Sequence, residues 1–119
     1  MDLEKWCEQK GGRYSVRPAF TFPKAPRVEL MEKCTIEKGG KKITVFKDPS
    51  GTYVTVEKLA PYDHVPITER CSVEPDYATE ELYVSCSEEI DSISQLDTTV
   101  KELEQELETA YKKIEESYK

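Results

Sequence analysis

CTIEKGGKKITVFKDPSGTYVTVE, residues 34–57, carries two turn signals whose consequences can be checked against each other. A two-residue Gly39-Gly40 turn suits a β-hairpin. It pairs Lys38 with Lys41, Glu37 with Lys42, Ile36 with Ile43, Thr35 with Thr44 and Cys34 with Val45. A four-residue Asp48-Pro49-Ser50-Gly51 turn places Pro and Gly where turn geometry favours them. It pairs Phe46 with Tyr53, Val45 with Val54, Thr44 with Thr55, Ile43 with Val56 and Lys42 with Glu57. The two registers agree. One face collects Cys34, Ile36, Ile43, Val45, Val54 and Val56, and the other carries Thr35, Thr44 and Thr55 with Lys42 between Glu37 and Glu57. A one-residue slip would mix the faces. The stretch therefore predicts a three-stranded antiparallel meander.

Working outward, Asp2 to Lys10 reads as a short helix capped by Asp2, with Leu3, Trp6, Cys7 and Lys10 on one face. Gly11-Gly12 ends it, and Arg13 to Arg17 begins a strand. The segments EKWCEQKGG, from Glu4, and EKCTIEKGG, from Glu32, share letters but not spacing. The first follows a helical period and the second alternates, so they are not a duplicated site. Pro18, Pro23 and Pro26 make RPAFTFPKAP an extended loop. Beyond a second loop at 60–66, Ile67 to Val73 and Glu81 to Cys86 alternate as strands, with a Pro75-Asp76 turn signal. A turn centred between Ala78 and Thr79 sets Cys71 opposite Cys86.

The tail reads as a helix from Glu88 to Lys119, capped by Ser87 or Ser85. Ile93, Val100, Leu107 and Ile114 form an a series, and Leu96, Leu103, Ala110 and Ser117 a d series. That heptad spacing favours a parallel dimer. Asp97-Thr98-Thr99 offers an alternative break, with Thr99 and Glu102 as a capping box. Unbroken, the helix would be roughly 48 Å long, against a body of roughly 30 Å. It would then project and self-associate through Ile93, Leu96, Val100, Leu103, Leu107, Ala110 and Ile114. The expectation is an α+β fold: a short N-terminal helix, a small antiparallel sheet of about five strands, and a long coiled-coil-like C-terminal helix. Residues 1–86 would form the β-rich domain and 87–119 a helical oligomerisation segment.

The net charge of −7 is unevenly spread over the 119 residues. Residues 1–60 carry a balance of +4 and residues 61–119 one of −11. Such a division suggests different partners for the two parts, or a mildly basic domain followed by an acidic solvated helix. No run is long and apolar enough for a membrane span, and the N-terminus is charged from Asp2, which argues against a signal peptide. A cytoplasmic protein with no membrane partner is expected. The chain has no asparagine and is rich in Lys and Glu, the bias of hyperthermophile proteins. An accessory protein of a thermophilic archaeon or its virus fits that composition.

Cys7, Cys34, Cys71 and Cys86 all fall on apolar stripes. Structural zinc favours a close ligand pair, which is lacking here, so no metal site is expected. Buried thiols and two disulfides remain, the latter common inside hyperthermophiles. Cys71–Cys86 with Cys7–Cys34 is the favoured pairing. No nucleotide fingerprint appears, and no cofactor is expected. Asp63-His64 with Cys71 lacks any local catalytic signature, so no catalytic residue is assigned and the chain is not expected to be an enzyme. The first functional expectation is a non-enzymatic oligomeric binding or structural protein, a dimer through its tail. The alternative is a nucleic-acid binder using residues 11–47. There Arg13, Arg17, Lys24, Arg27, Lys33, Lys38, Lys41, Lys42 and Lys47 are interleaved with Tyr14, Phe20, Phe22 and Phe46.

Overall fold

A computed structural model describes residues 2–19, 29–60, 68–76 and 78–117. Helix α1 (Leu3–Gln9) is capped by Asp2, whose side chain accepts a hydrogen bond from the Lys5 amide. Six strands follow: β1 (Arg13–Ala19), β2 (Glu29–Lys38), β3 (Lys41–Asp48), β4 (Gly51–Leu59), β5 (Cys71–Asp76) and β6 (Glu81–Ile90). They form one antiparallel sheet in the order β1-β2-β3-β4-β6-β5. A 3-10 turn (Ile93–Gln95) then leads into α2 (Leu96–Ser117). The fold is α+β, with six strands where about five were expected.

The meander has the register its turns dictate, including Cys34↔Val45, Thr44↔Thr55 and Val45↔Val54. Gly39 and Gly40 have φ of 57° and 79°, the left-handed pair of a two-residue hairpin turn. Gly12 is needed for closeness instead, since an added Cβ would lie 2.8 Å from both Cys7 Sγ and Ile36 Cγ1. Cys71 lies opposite Cys86 as expected. Pro75 and Asp76, however, belong to β5, and the chain turns at 78–80. Ile67 lies outside the described residues, as do Phe20, Phe22, Lys24, Arg27 and His64.

The largest departure is in the tail. Ser87 to Ile90 continue β6 instead of opening a helix, because β4 supplies partners as far as Thr52↔Ile90. Ser92 becomes the cap, in a reciprocal capping box with Gln95. The helix is continuous across Asp97-Thr98-Thr99, which form its first turn. Its 22 residues span about 33 Å at 1.5 Å per residue. A ten-residue strand such as β6 has about that length at 3.3 Å per residue. The helix therefore does not project: it lies along the sheet, over β4 and β6.

Both helices cover the same sheet face and share its core. Leu96, Val100, Leu103, Leu107 and Ala110, expected at an oligomer seam, are buried with Val45, Val54, Val56 and Val84 of the same chain. Ile93 is partly buried against that core, and the Ile114 side chain is outside what is described. A stripe spaced for a coiled coil serves equally to lay a helix on a sheet. The tail expected as a separate segment from residue 87 thus supplies β6 residues to the sheet and one wall of the core.

Two disulfides close this core, Cys7–Cys34 between α1 and β2 and Cys71–Cys86 between β5 and β6. Polar ties fasten the helices. Asp97 accepts hydrogen bonds from Trp6 Nε1 at 3.1 Å and pairs with Lys10 Nζ at 3.0 Å. Arg70 joins α2 to β6, with Glu88 at 2.7 Å and Glu106 at 2.6 Å. Glu106 Oε2 is buried and held by that charge rather than by an aligned hydrogen bond. Lys58 Nζ stands 4.3 Å from the centre of the Tyr111 ring.

The Asp97 tie gives a pH signature. Hydrogen bonds from Lys10 and Trp6 hold the Asp97 carboxyl below its ordinary range. A carboxylate with a depressed folded pKa stabilises above its unfolded pKa, and that contribution is lost as pH falls through the folded value. Trp6 is the single tryptophan. Its emission is therefore expected to change in a step below about pH 4, and Asp97→Asn is expected to abolish that step. Persistence of the step in the variant would refute the assignment.

Candidate functional site: the open face of the sheet

Alternation sends half of every strand away from the helices. The rows on that second face follow from the registers. Arg13, Thr35, Thr44, Thr55 and Ser87 form one row, and Ser15, Lys33, Phe46, Tyr53 and Glu89 form the next. Glu37, Lys42, Glu57, Ser85 and Ser72 form a third, in which Ser85 is buried. Among the described residues no helix covers this face. Thr55 and Ser87 share a hydroxyl hydrogen bond of 3.1 Å, one rung of the hydroxyl row.

Charge is divided across the face. The β1–β2–β3 half presents Arg13, Arg17, Lys33 and Lys42 against Glu37 and Asp48. The β4–β6–β5 half presents Glu57, Glu74, Glu81 and Glu89, with no cation among the described residues. Two contacts partly neutralise the cations, Arg13 with Glu37 at 3.0 Å and Lys42 with Glu57 at 3.9 Å. Arg17 and Lys33 have no carboxylate partner within 4 Å among the described residues. They border a hollow of about 330 Å³ that Arg13, Met31 and Phe46 also line.

The structure sorts the expected nucleic-acid contacts. Arg13, Arg17, Lys33 and Lys42 reach the open face. Lys41 faces the helix, 3.7 Å from both Glu104 and Glu108. Lys47 also faces inward, 3.8 Å from Glu32. Lys38 ends β2 beside Trp6 and Lys10, at a hollow of about 510 Å³ between α1, α2 and the β2–β3 hairpin. Lys24 and Arg27 lie outside the described residues. Tyr14 is on the helix side, where burial and its hydrogen bond to Glu32 raise the phenol well above its ordinary pKa.

Sequence reading missed the acidic half of the face. Its signal was present as the alternation Glu81, Tyr83, Ser85, Ser87, Glu89. The heptad reading assigned the last of these to a helix.

Both sheet edges carry a proline, Pro18 in β1 and Pro75 in β5. Proline withholds a ladder donor and blunts edge-to-edge pairing. The open face is thus the larger unguarded surface. Among the described residues no group of His, Cys, Asp and Glu is arranged to hold a metal ion, and no helix is long and apolar enough to cross a membrane. Compared with known proteins, the chain matches no family model, no curated protein and no solved structure.

Proposed function

We propose that this chain is a non-enzymatic binding or structural protein that works as an oligomer, with the open sheet face as its contact surface. One observation carries this reading. The apolar stripe of α2 is used inside its own chain, while the opposite sheet face is open and divided in charge. The composition supports a place inside a hyperthermophile cell, where disulfides survive in the cytosol. Sedimentation equilibrium of the full chain is expected to give a multiple of 13.7 kDa. A single 13.7 kDa species up to millimolar concentration would remove this reading.

A second reading has its own support in the hollow among Arg13, Arg17, Lys33 and Phe46. Cations beside an aromatic ring suit a single nucleic-acid strand. Against it stand the carboxylates on the same face, Glu57 and Glu89 among them, and the net charge of −7. Anisotropy of a labelled mixed-sequence single strand at low salt tests it, since phosphate contacts are strongest there.

A further inference from the structure

We infer that two copies dock through the open face about a two-fold axis parallel to the strands, midway between β3 and β4. This rests on the oligomeric reading above and specifies its partner and geometry. The midpoint of the order β1-β2-β3-β4-β6-β5 falls between β3 and β4. Rotation about an axis along the strands leaves each residue's height unchanged. It exchanges β3 with β4, β2 with β6 and β1 with β5. Lys33 and Lys42 of each copy then face Glu89 and Glu57 of the other, while Arg13 and Arg17 lie at other heights than Glu74 and Glu81.

The rows fix the contacts near the axis. Lys33, Phe46, Tyr53 and Glu89 share one height. Phe46 therefore meets Tyr53 of the second copy, and Lys33 meets its Glu89. Thr44 meets Thr55 of the second copy, and Lys42 meets its Glu57. A two-fold axis makes each contact twice.

A two-fold axis across the strands would instead lay β3 on β3 and β4 on β4 were it to keep strand order. Heights would then be reversed: with the axis at the Thr44 row, Arg13 would face Arg13, Lys33 would face Glu37, and Glu57 and Glu89 would meet no cation. Charge complementarity selects the first arrangement, because like charges across an interface are strongly disfavoured. The geometry is that of aligned sheet packing, with strand directions within about 30° and sheets about 10 Å apart.

The available area is adequate. Six strands spaced by about 4.8 Å are roughly 29 Å wide. Over the roughly 23 Å of length shared by the central strands, each copy offers about 650 Å². The total near 1,300 Å² lies in the range of stable specific interfaces. A nucleic-acid strand laid on the same face would cross Glu57 and Glu89, which repel phosphate.

Charge exchange tests the arrangement. Lys33→Glu and Glu89→Lys are each expected to weaken dimerisation of the full chain at least tenfold in sedimentation equilibrium. The double variant Lys33→Glu/Glu89→Lys is expected to return to within about threefold of the original. Within one chain these residues are three strands apart, roughly 14 Å, so rescue reports contact between copies. Circular dichroism checks that each variant is folded. Oligomers that persist without rescue would overturn this geometry and leave the oligomeric reading standing. A chain that stays monomeric overturns both. A monomer whose low-salt binding of a labelled single strand is lost in Lys33→Glu overturns both in favour of nucleic acid.

Discussion

Removing both disulfides is expected to bring the protein close to unfolding. The Cys7–Cys34 and Cys71–Cys86 bonds close loops with sequence separations of 27 and 15. The loop-entropy relation assigns about 3.5 and about 3 kcal/mol to loops of these sizes. Their sum, about 6.5 kcal/mol, is comparable with the whole stability of a typical domain, about 5–15 kcal/mol. The pair Cys7→Ala/Cys34→Ala is expected to lower the melting temperature by roughly 10–20 °C. Cys71→Ala/Cys86→Ala should lower it by a similar amount. The first pair also has a local readout. Cys7 ties α1 to β2, so its loss should change Trp6 emission before the sheet melts. Calorimetry with reductant, with mass spectrometry verifying four thiols, makes the comparison. An unchanged melting temperature in the fully reduced chain would contradict this account.

Leu103→Ala is expected to destabilise the fold by about 2–5 kcal/mol, the range for truncating a buried leucine. Leu103 is fully buried within the stripe of α2 and belongs to the same core as the inner faces of β3 and β4. Its effect separates two uses of one heptad. A helix lying on its own sheet loses stability in every molecule, so the melting temperature falls equally at all protein concentrations. A seam between chains would instead yield dissociated molecules that remain folded, with an effect that shrinks at high concentration. Lys112 is exposed on the same helix, and Lys112→Ala is expected to stay within about 0.5 kcal/mol. Denaturant melts over a hundredfold range of concentration read the difference. A Leu103→Ala chain as stable as the original would mean that α2 does not cover the sheet.

Much of this architecture was legible because strand alternation and turn chemistry are local. Gly39-Gly40 and Asp48 to Gly51 each set a register, and the two had to agree at Thr44 and Val45. Cys71–Cys86 followed from the same logic of register, and Cys7–Cys34 was the pair that remained. Period alone could not say what the C-terminal stripe packs against. A stripe at Leu96, Val100, Leu103 and Leu107 suits a second helix or a sheet equally well. The end of β6 was also hidden. Glu88 and Glu89 resemble the acidic first turn of a helix, and only a partner strand at Thr52 to Val54 makes them extended.

The open face was half visible for the same reason. Its threonine row and Lys42 came from the meander, where neighbours in sequence are neighbours in space, while Arg13 and Arg17 come from β1. Apart from Glu57, its acidic end comes from β6 and β5, which follow in the sequence only after residue 70. The sequence by itself determined the meander, the apolar face, the helix at each end and the alignment of the cysteines, because turns and side-chain period act over a few residues. Tertiary structure alone decided that α2 folds back, that β6 lengthens to Ile90 and that opposite charges share one open face. Those outcomes depend on contacts between distant segments, where burying the stripe on the chain's own sheet competes with burying it on another copy.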